Sequence, residues 1–143
     1  MKQRLLDYRD LERYIDNCLE RLERLEEKKS SVAAARLDGM PKAQGVYDRV
    51  GDLVSKYLQL ETELKEKIRR RDDERRSIAG IMDAAGLTAD ERSVIEIRYF
   101  DGEEWGEVLW LLYGGRDEYN ELYDNYKQRI FRYHRSAIDK MNR

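Results

Sequence analysis

The sequence predicts an all-α chain: a long antiparallel helical hairpin of coiled-coil type, followed by a C-terminal helix-turn-helix domain. Three observations carry this. Charged residues make up 41% of the chain, against about 25% in ordinary globular proteins. Proline occurs once, and Ala, Leu, Glu, Lys and Arg dominate, a mix that favours helices over sheets. Two runs of apolar residues alternate spacings of three and four, the signature of a coiled-coil seam.

The first run reads Tyr8, Leu11, Ile15, Cys18, Leu22, Leu25, Lys29, Val32. Charged residues such as Glu20-Arg21 and Glu23-Arg24 fill the positions between. The run places a helix over about 3–36. It ends before Gly39-Met40-Pro41, because proline disfavours a helical residue ahead of it. With two glycines and the proline, 37–45 reads as a loop. The second run reads Val46, Val50, Leu53, Tyr57, Leu60, Leu64, Lys67, Arg71, Glu74, Ile78, Ile81 and places a helix over about 46–85. Two long helices on a short loop fold back most simply as an αα-hairpin, here 1–86. A helix of about 30 residues is roughly 45 Å long, so such an arm would project from a compact domain. Lys65 to Arg76 reads best as a solvated face with internal ion pairs, since its acidic members cancel much of the basic field.

The remainder, 87–143, opens with a capping box: Thr88 precedes Glu91 by three, with Leu87 as the hydrophobic staple. That helix turns Val94, Ile95, Ile97 and Tyr99 toward neighbours and stops at Asp101-Gly102. A second helix, about Glu103 to Tyr113, places Trp105, Val108, Leu109 and Leu112 on one buried face. Trp110, Leu111 and Tyr113 lie off that face and suggest another contact surface. Gly114-Gly115 ends it. The terminal helix packs Ile130, Phe131, His134, Ala137, Ile138 and Met141 inward, and projects Gln128, Arg129, Arg132 and Arg135 outward with Lys127 beside them. Arginine and glutamine suit the base edges of a major groove, and the cations suit phosphates.

The net charge of −2 hides an uneven distribution. Residues 1–86 carry a net +1, 87–125 a net −8 and 126–143 a net +5. A polyanion would therefore meet the chain at its C-terminal end. The single cysteine, Cys18, excludes an intrachain disulfide and fits a reducing compartment as a small seam residue. No basic start leads into an apolar stretch, so a secretory leader is not expected. The longest apolar run, Val108 to Tyr113, is too short to span a bilayer. A cytoplasmic protein with no membrane partner is the expectation. Glycine-loop, dinucleotide and paired-cysteine signatures are missing, and His134 is the lone histidine, so neither metal, cofactor nor enzymatic activity is expected. His134 itself reads as a packed helix residue bonded to a nearby acid or carbonyl.

The order Leu87-Thr88-x-x-Glu91-Arg92-x-Val94-Ile95-x-Ile97-Arg98-Tyr99, then Gly102, Trp105, Glu107-Val108 and the helix from Ile130 to Met141, resembles the fourth region of bacterial sigma factors. The whole chain is similar to the phage RinA/ArpU-type transcriptional regulators. Further likeness lies at Gly39-Met40-Pro41, Gly45-Val46, Asp48-Arg49-Val50-Gly51-Asp52 and Arg129-Ile130-Phe131-Arg132-x-His134. The resemblance implies a sequence-specific DNA-binding regulator of phage or prophage genes in a bacterial host cell, with double-stranded DNA as partner. DNA contact falls on Lys127, Gln128, Arg129, Arg132 and Arg135. The helix-turn-helix core would comprise Val94, Trp105, Val108, Leu109, Leu112, Ile130, His134, Ala137 and Ile138.

The chain departs from that pattern between the last two helices, where 113–125 holds roughly ten extra residues in place of a short turn. Tyr119, Leu122, Tyr123 and Tyr126 fall at i, i+3, i+4, i+7, in phase with Ile130 and Tyr133. This predicts one helix from about Asp117 to Lys140, capped near Asp117. Its front would carry Asp117, Glu118, Glu121 and Asp124, which phosphates repel. The alternative function is accordingly a coiled-coil adaptor that binds a protein such as RNA polymerase through the hairpin and Tyr119, Leu122, Tyr123 and Tyr126. The heptad seams would also allow a homodimer.

Overall fold

The computed structural model describes residues 1–37 and 44–143, with side chains for 1–32 and 49–143. It is all-α, with no strand among the described residues. The helices are α1 (Lys2–Leu37), α2 (Gln44–Ala85), α3 (Ala89–Ile95), α4 (Trp105–Tyr113) and α5 (Tyr123–Met141), with a π-helical turn at Glu96–Phe100 extending α3. Of the loop expected over 37–45, residues 38–43 lie outside the described residues. Leu37 closes α1, while Gln44 and Gly45 open α2. The motif Gly39-Met40-Pro41 also lies outside them.

The chain forms two compact units. One is Leu11–Arg71, the helical hairpin, and its seam is a cluster of Ile15, Cys18, Leu60 and Leu64, flanked by Leu11, Leu22, Leu25 and Ile68. Partners across the seam run in opposite order along the two helices, the mark of antiparallel pairing. Lys29 lies 4.8 Å from the Tyr57 ring near one end. Arg71 meets Glu12 at 3.3 Å near the other. Between them Lys67 lies 5.9 Å from the ring of Tyr14. These charged members of the heptad runs thus meet an aromatic face or a carboxylate. Along α2, Glu61–Lys65 and Glu66–Arg69 pair within the helix, as a solvated charged face should.

The other unit joins Met1–Asp10 and Asp72–Arg143. The first ten residues and the end of α2 are therefore part of the same body as the three short helices. Its larger cluster buries Leu5 and Tyr8 of α1, Ile78 and Met82 of α2, Ile95 and Tyr99, and Ala137 and Met141 of α5. Arg4 adds an ion pair to Glu74 and a hydrogen bond to Ser77. Gly86 supplies the positive φ of +66° that turns the chain out of α2.

The capping box at the start of α3 forms as the sequence predicts. The Thr88 amide donates to Glu91 at 2.9 Å, and the Glu91 amide donates to the Thr88 hydroxyl at 3.3 Å. At the far end the ladder widens to i→i+5, with the Asp101 amide donating to the Glu96 carbonyl at 2.9 Å. Gly102, at φ +77°, then reverses the chain. Arg98 donates to the Glu103 carbonyl at 2.8 Å and the Glu104 carboxylate at 2.9 Å, and Arg9 also holds Glu104. α4 starts at Trp105, two residues later than the acidic start predicts.

Candidate nucleic-acid interface

The second cluster of the Met1–Asp10, Asp72–Arg143 unit sets the position of α5. It buries Val94, Val108, Leu109, Tyr113, Tyr126 and Ile130, with Trp105, Leu112, Tyr119 and Tyr133 packed against them. Of the residues expected in a helix-turn-helix core, Val94, Val108, Leu109 and Ile130 are buried in this cluster, with Trp105 and Leu112 against it. Ala137 and Ile138 belong instead to the cluster around Tyr8 and Tyr99, and His134 is half-buried. Phe131 differs from the inward expectation. It stays on the surface, its ring edge-on to Trp105 at 5.2 Å.

The stretch before α5 overturns one prediction. The chain from Asp117 to Leu122 is a series of single turns and not the front of a long helix. The amide of Arg116 donates to the Tyr113 carbonyl, that of Tyr119 to Arg116, and that of Leu122 to Glu118. α5 begins at Tyr123, with Leu122 at the cap position, so Asp117 caps nothing in α5. Ring packing explains the difference. In a straight helix Tyr119 and Tyr126 would be about 10 Å apart along the axis. The turns bring their rings to 6.4 Å, and Tyr126 stacks on Tyr113 at 4.4 Å with an 11° tilt. A run at helical spacing therefore reaches the core by folding up.

Of the four residues suggested for protein contact, Tyr126 is buried and Tyr119 half-buried. Leu122 and Tyr123 are exposed. Tyr113, which the periodicity leaves off the buried face of α4, is instead buried beneath Tyr126.

Ending the helix at Tyr123 moves most of the acidic charge off it. Asp117, Glu118 and Glu121 lie in the turns, and Asp124 is the only acidic residue in the first turn of α5. Glu118 accepts a hydrogen bond from the Tyr126 hydroxyl at 3.0 Å, and its carboxyl is held below the usual range by its own amide and that hydroxyl.

Along α5, exposed Asn125, Gln128, Arg132 and Arg135 recur at i, i+3, i+7 and i+10 and form one stripe opposite Tyr126, Ile130 and Ala137. Asn125, Gln128, Arg129 and Arg132 line a shallow groove of about 350 Å³. Lys127 is exposed but about 100° around the helix from Gln128, so it flanks the stripe. Arg129 is half-buried because its guanidinium reaches across the tyrosine stack, 5.5 Å from the Tyr126 ring and 6.0 Å from Tyr113.

Arg4, Arg9, Arg92, Arg98 and Lys140 are all tied to carboxylates. Among the described residues, no carboxylate pairs with Lys127, Arg129, Arg132 or Arg135 within 4 Å. Asn125 and Arg116 also belong to this surface, and sequence reasoning passed over both. Asn125 could have been found, since it continues the Gln128–Arg132 spacing. Arg116 had no local signal, because its second aromatic partner, Tyr126, lies ten residues on beyond the turns.

His134 is packed, as its helical phase suggests, but its partner is neither an acid nor a carbonyl. Nε2 lies 2.8 Å from the Tyr99 hydroxyl, and the ring is edge-on to Trp105 at 5.1 Å. Burial lowers its pKa from 6.5 to about 4, with Lys2 and Arg98 adding to the effect, so it is neutral at neutral pH.

Among the described residues, no group of three or more His, Cys, Asp or Glu side chains could hold a metal ion. No helix there is long and apolar enough to cross a membrane. Compared with known protein families, curated proteins and solved structures, the chain matches none.

Proposed function

We propose that the chain is a sequence-specific DNA-binding transcriptional regulator that lays α5 in the major groove of double-stranded DNA. The observation that carries this reading is the stripe of Asn125, Gln128, Arg132 and Arg135, exposed along one helix, its cations without carboxylate partners among the described residues. Arg4, Arg9, Arg92 and Arg98 are held by carboxylates, whereas the cations of the stripe keep their charge and donors for a ligand. Asn and Gln offer paired contacts to adenine, and Arg to guanine. A recognition helix reads bases with its N-terminal residues, and the start of α5 at Tyr123 puts Asn125 and Gln128 there. Regulation of phage or prophage genes in a bacterial cytoplasm follows from the resemblance to RinA/ArpU-type regulators.

Selection of bound duplexes from a random pool tests the proposal and defines the site together. A single enriched motif is expected. Changing Arg129 and Arg132 together to Ala should weaken binding to it by about 10-fold or more. Losing one good base contact, at Arg132, costs about 1–3 kcal/mol, and losing the Arg129 cation adds to that. A pool that shows no retention at low salt would sink the reading.

A second reading, a protein adaptor for a partner such as RNA polymerase, draws on α4. Trp110 and Leu111 stand 57% and 49% exposed there, and Leu122 and Tyr123 are exposed at the start of α5. Aromatic residues of this kind anchor protein interfaces. Capture of polymerase that survives the Arg129/Arg132 change but fails with Trp110→Ser would favour it. Pairing of two chains through the hairpin, where Leu19 and Leu58 are exposed, is tested by sedimentation.

A further inference from the structure

The inserted turn between α4 and α5 ends in an arrangement the recognition stripe does not use. Tyr113 and Tyr126 stack face to face at 4.4 Å, and two guanidiniums share the pair. Arg116 lies 5.0 and 5.6 Å from the two ring centroids, and Arg129 lies 6.0 and 5.5 Å from them. Neither arginine has an ion-pair partner within 4 Å among the described residues.

We infer that the inserted turn is a grip for the DNA backbone, in which Arg116 and Arg129, held on the Tyr113–Tyr126 stack, take phosphates beside the groove that α5 reads. This rests on the DNA-binding reading above and assigns the insertion to the same duplex. An arginine paired with a carboxylate is neutralised and its donors are used. One held by an aromatic face keeps both its charge and most of its N–H donors, while its long side chain loses freedom before the ligand arrives. Two like charges on one ring pair also repel, and a phosphate between or beside them relieves that repulsion. Arg129 joins the grip to the stripe, because it also lines the groove with Asn125, Gln128 and Arg132.

The acidic residues nearby set the register of this contact. Glu118 is turned toward the Tyr126 hydroxyl and is the carboxylate best placed to compete for Arg116. Asp117 and Glu121 in the turn and Asp124 at the start of α5 are exposed and repel phosphate, which disfavours approach of the backbone from their side.

The experiment measures binding of the full chain to a mixed-sequence duplex of about 30 base pairs, by anisotropy, between about 50 and 200 mM salt. For every cation withdrawn from a phosphate, the slope of log affinity against log salt becomes shallower by about 0.9. Arg116→Ala should produce that change and weaken binding about threefold to tenfold on every duplex alike, whereas Arg132→Ala changes sequence preference. Glu118→Gln should tighten binding to all duplexes. Arg116 is exposed, so its variant should keep the wild-type melting temperature, which is checked alongside. If wild type binds duplex and Arg116→Ala leaves slope and affinity unchanged, the grip is wrong and the reading of α5 stands. If wild type binds no duplex at low salt, both fall.

Discussion

The carboxylate of Glu91 and the ammonium of Lys140 lie 2.8 Å apart, joining the first turn of α3 to the last turn of α5. The same carboxylate accepts from the Ser136 hydroxyl at 2.6 Å and from the Thr88 amide, so one nearly buried acid closes a helix cap and ties two helices together. Burial alone would raise its pKa, but the bonds from Lys140, Ser136 and Thr88 outweigh that and bring it from 4.5 to about 2.

Glu91→Gln should therefore destabilise the protein by about 3 kcal/mol at neutral pH, since each tenfold gain in acidity on folding corresponds to about 1.4 kcal/mol. A depressed carboxyl stabilises the fold fully above 4.5 and loses that contribution as pH falls toward 2. Urea unfolding of both proteins across this range should give a gap that closes in acid. A gap of constant size would refute the assignment.

His134 acts on stability in the same direction over a higher range. Its folded pKa of about 4 is below the ordinary 6.5, so the unfolded chain takes up the proton first and stability falls as pH drops from 6.5 toward 4. The loss is at most about 3 kcal/mol. Exchanging His134 for Phe should flatten that part of the pH profile, and Tyr99→Phe should cost about 1 kcal/mol by removing the hydrogen bond. A His134→Phe profile as steep as the wild type's would disprove it.

Gly114 sits under Trp110. A Cβ added there would fall 2.5 Å from the Trp110 carbonyl oxygen and 2.6 Å from its indole. Gly114→Ala should cost about 1–3 kcal/mol, as overpacking does. The indole would have to swing away, so the emission of Trp110 should shift as well. Unchanged emission and melting temperature would contradict this placement.

Within the hairpin, Leu60 packs in the seam with Ile15, Cys18 and Leu64. Leu60→Ala should cost about 2–5 kcal/mol. The buried Cys18 thiol should resist labelling by a soluble disulfide reagent in the native protein and react in the Leu60→Ala variant at a lower urea concentration. Fast labelling of the native wild type would show the seam to be open.

Much of this architecture can be read from spacing alone. The heptad runs anticipate Ile15, Cys18, Leu60 and Leu64 at the seam, and Thr88 with Glu91 anticipates the start of α3, because both rules are local. Local rules fail where distant contacts decide. The i, i+3, i+4, i+7 pattern from Tyr119 is real, yet stacking on Tyr113 is satisfied by turns. Glu104, at the cap position of α4, is held by Arg9 from 95 residues away. The exposed polar side of α5 was legible from its phase. That its cations lack carboxylate partners among the described residues was not, because pairing depends on which acids the fold brings near.

Leu5 and Tyr8 share a buried cluster with Ala137 and Met141. During synthesis the first turns of α1 therefore cannot complete their native packing until α5 has left the ribosome. The Leu11–Arg71 hairpin needs only its own residues and can close much earlier. Until α5 emerges, Leu5 and Tyr8 have only Ile78, Met82, Ile95 and Tyr99 to pack against, and a premature stop before α5 would leave part of that cluster open for chaperones and proteases to recognise.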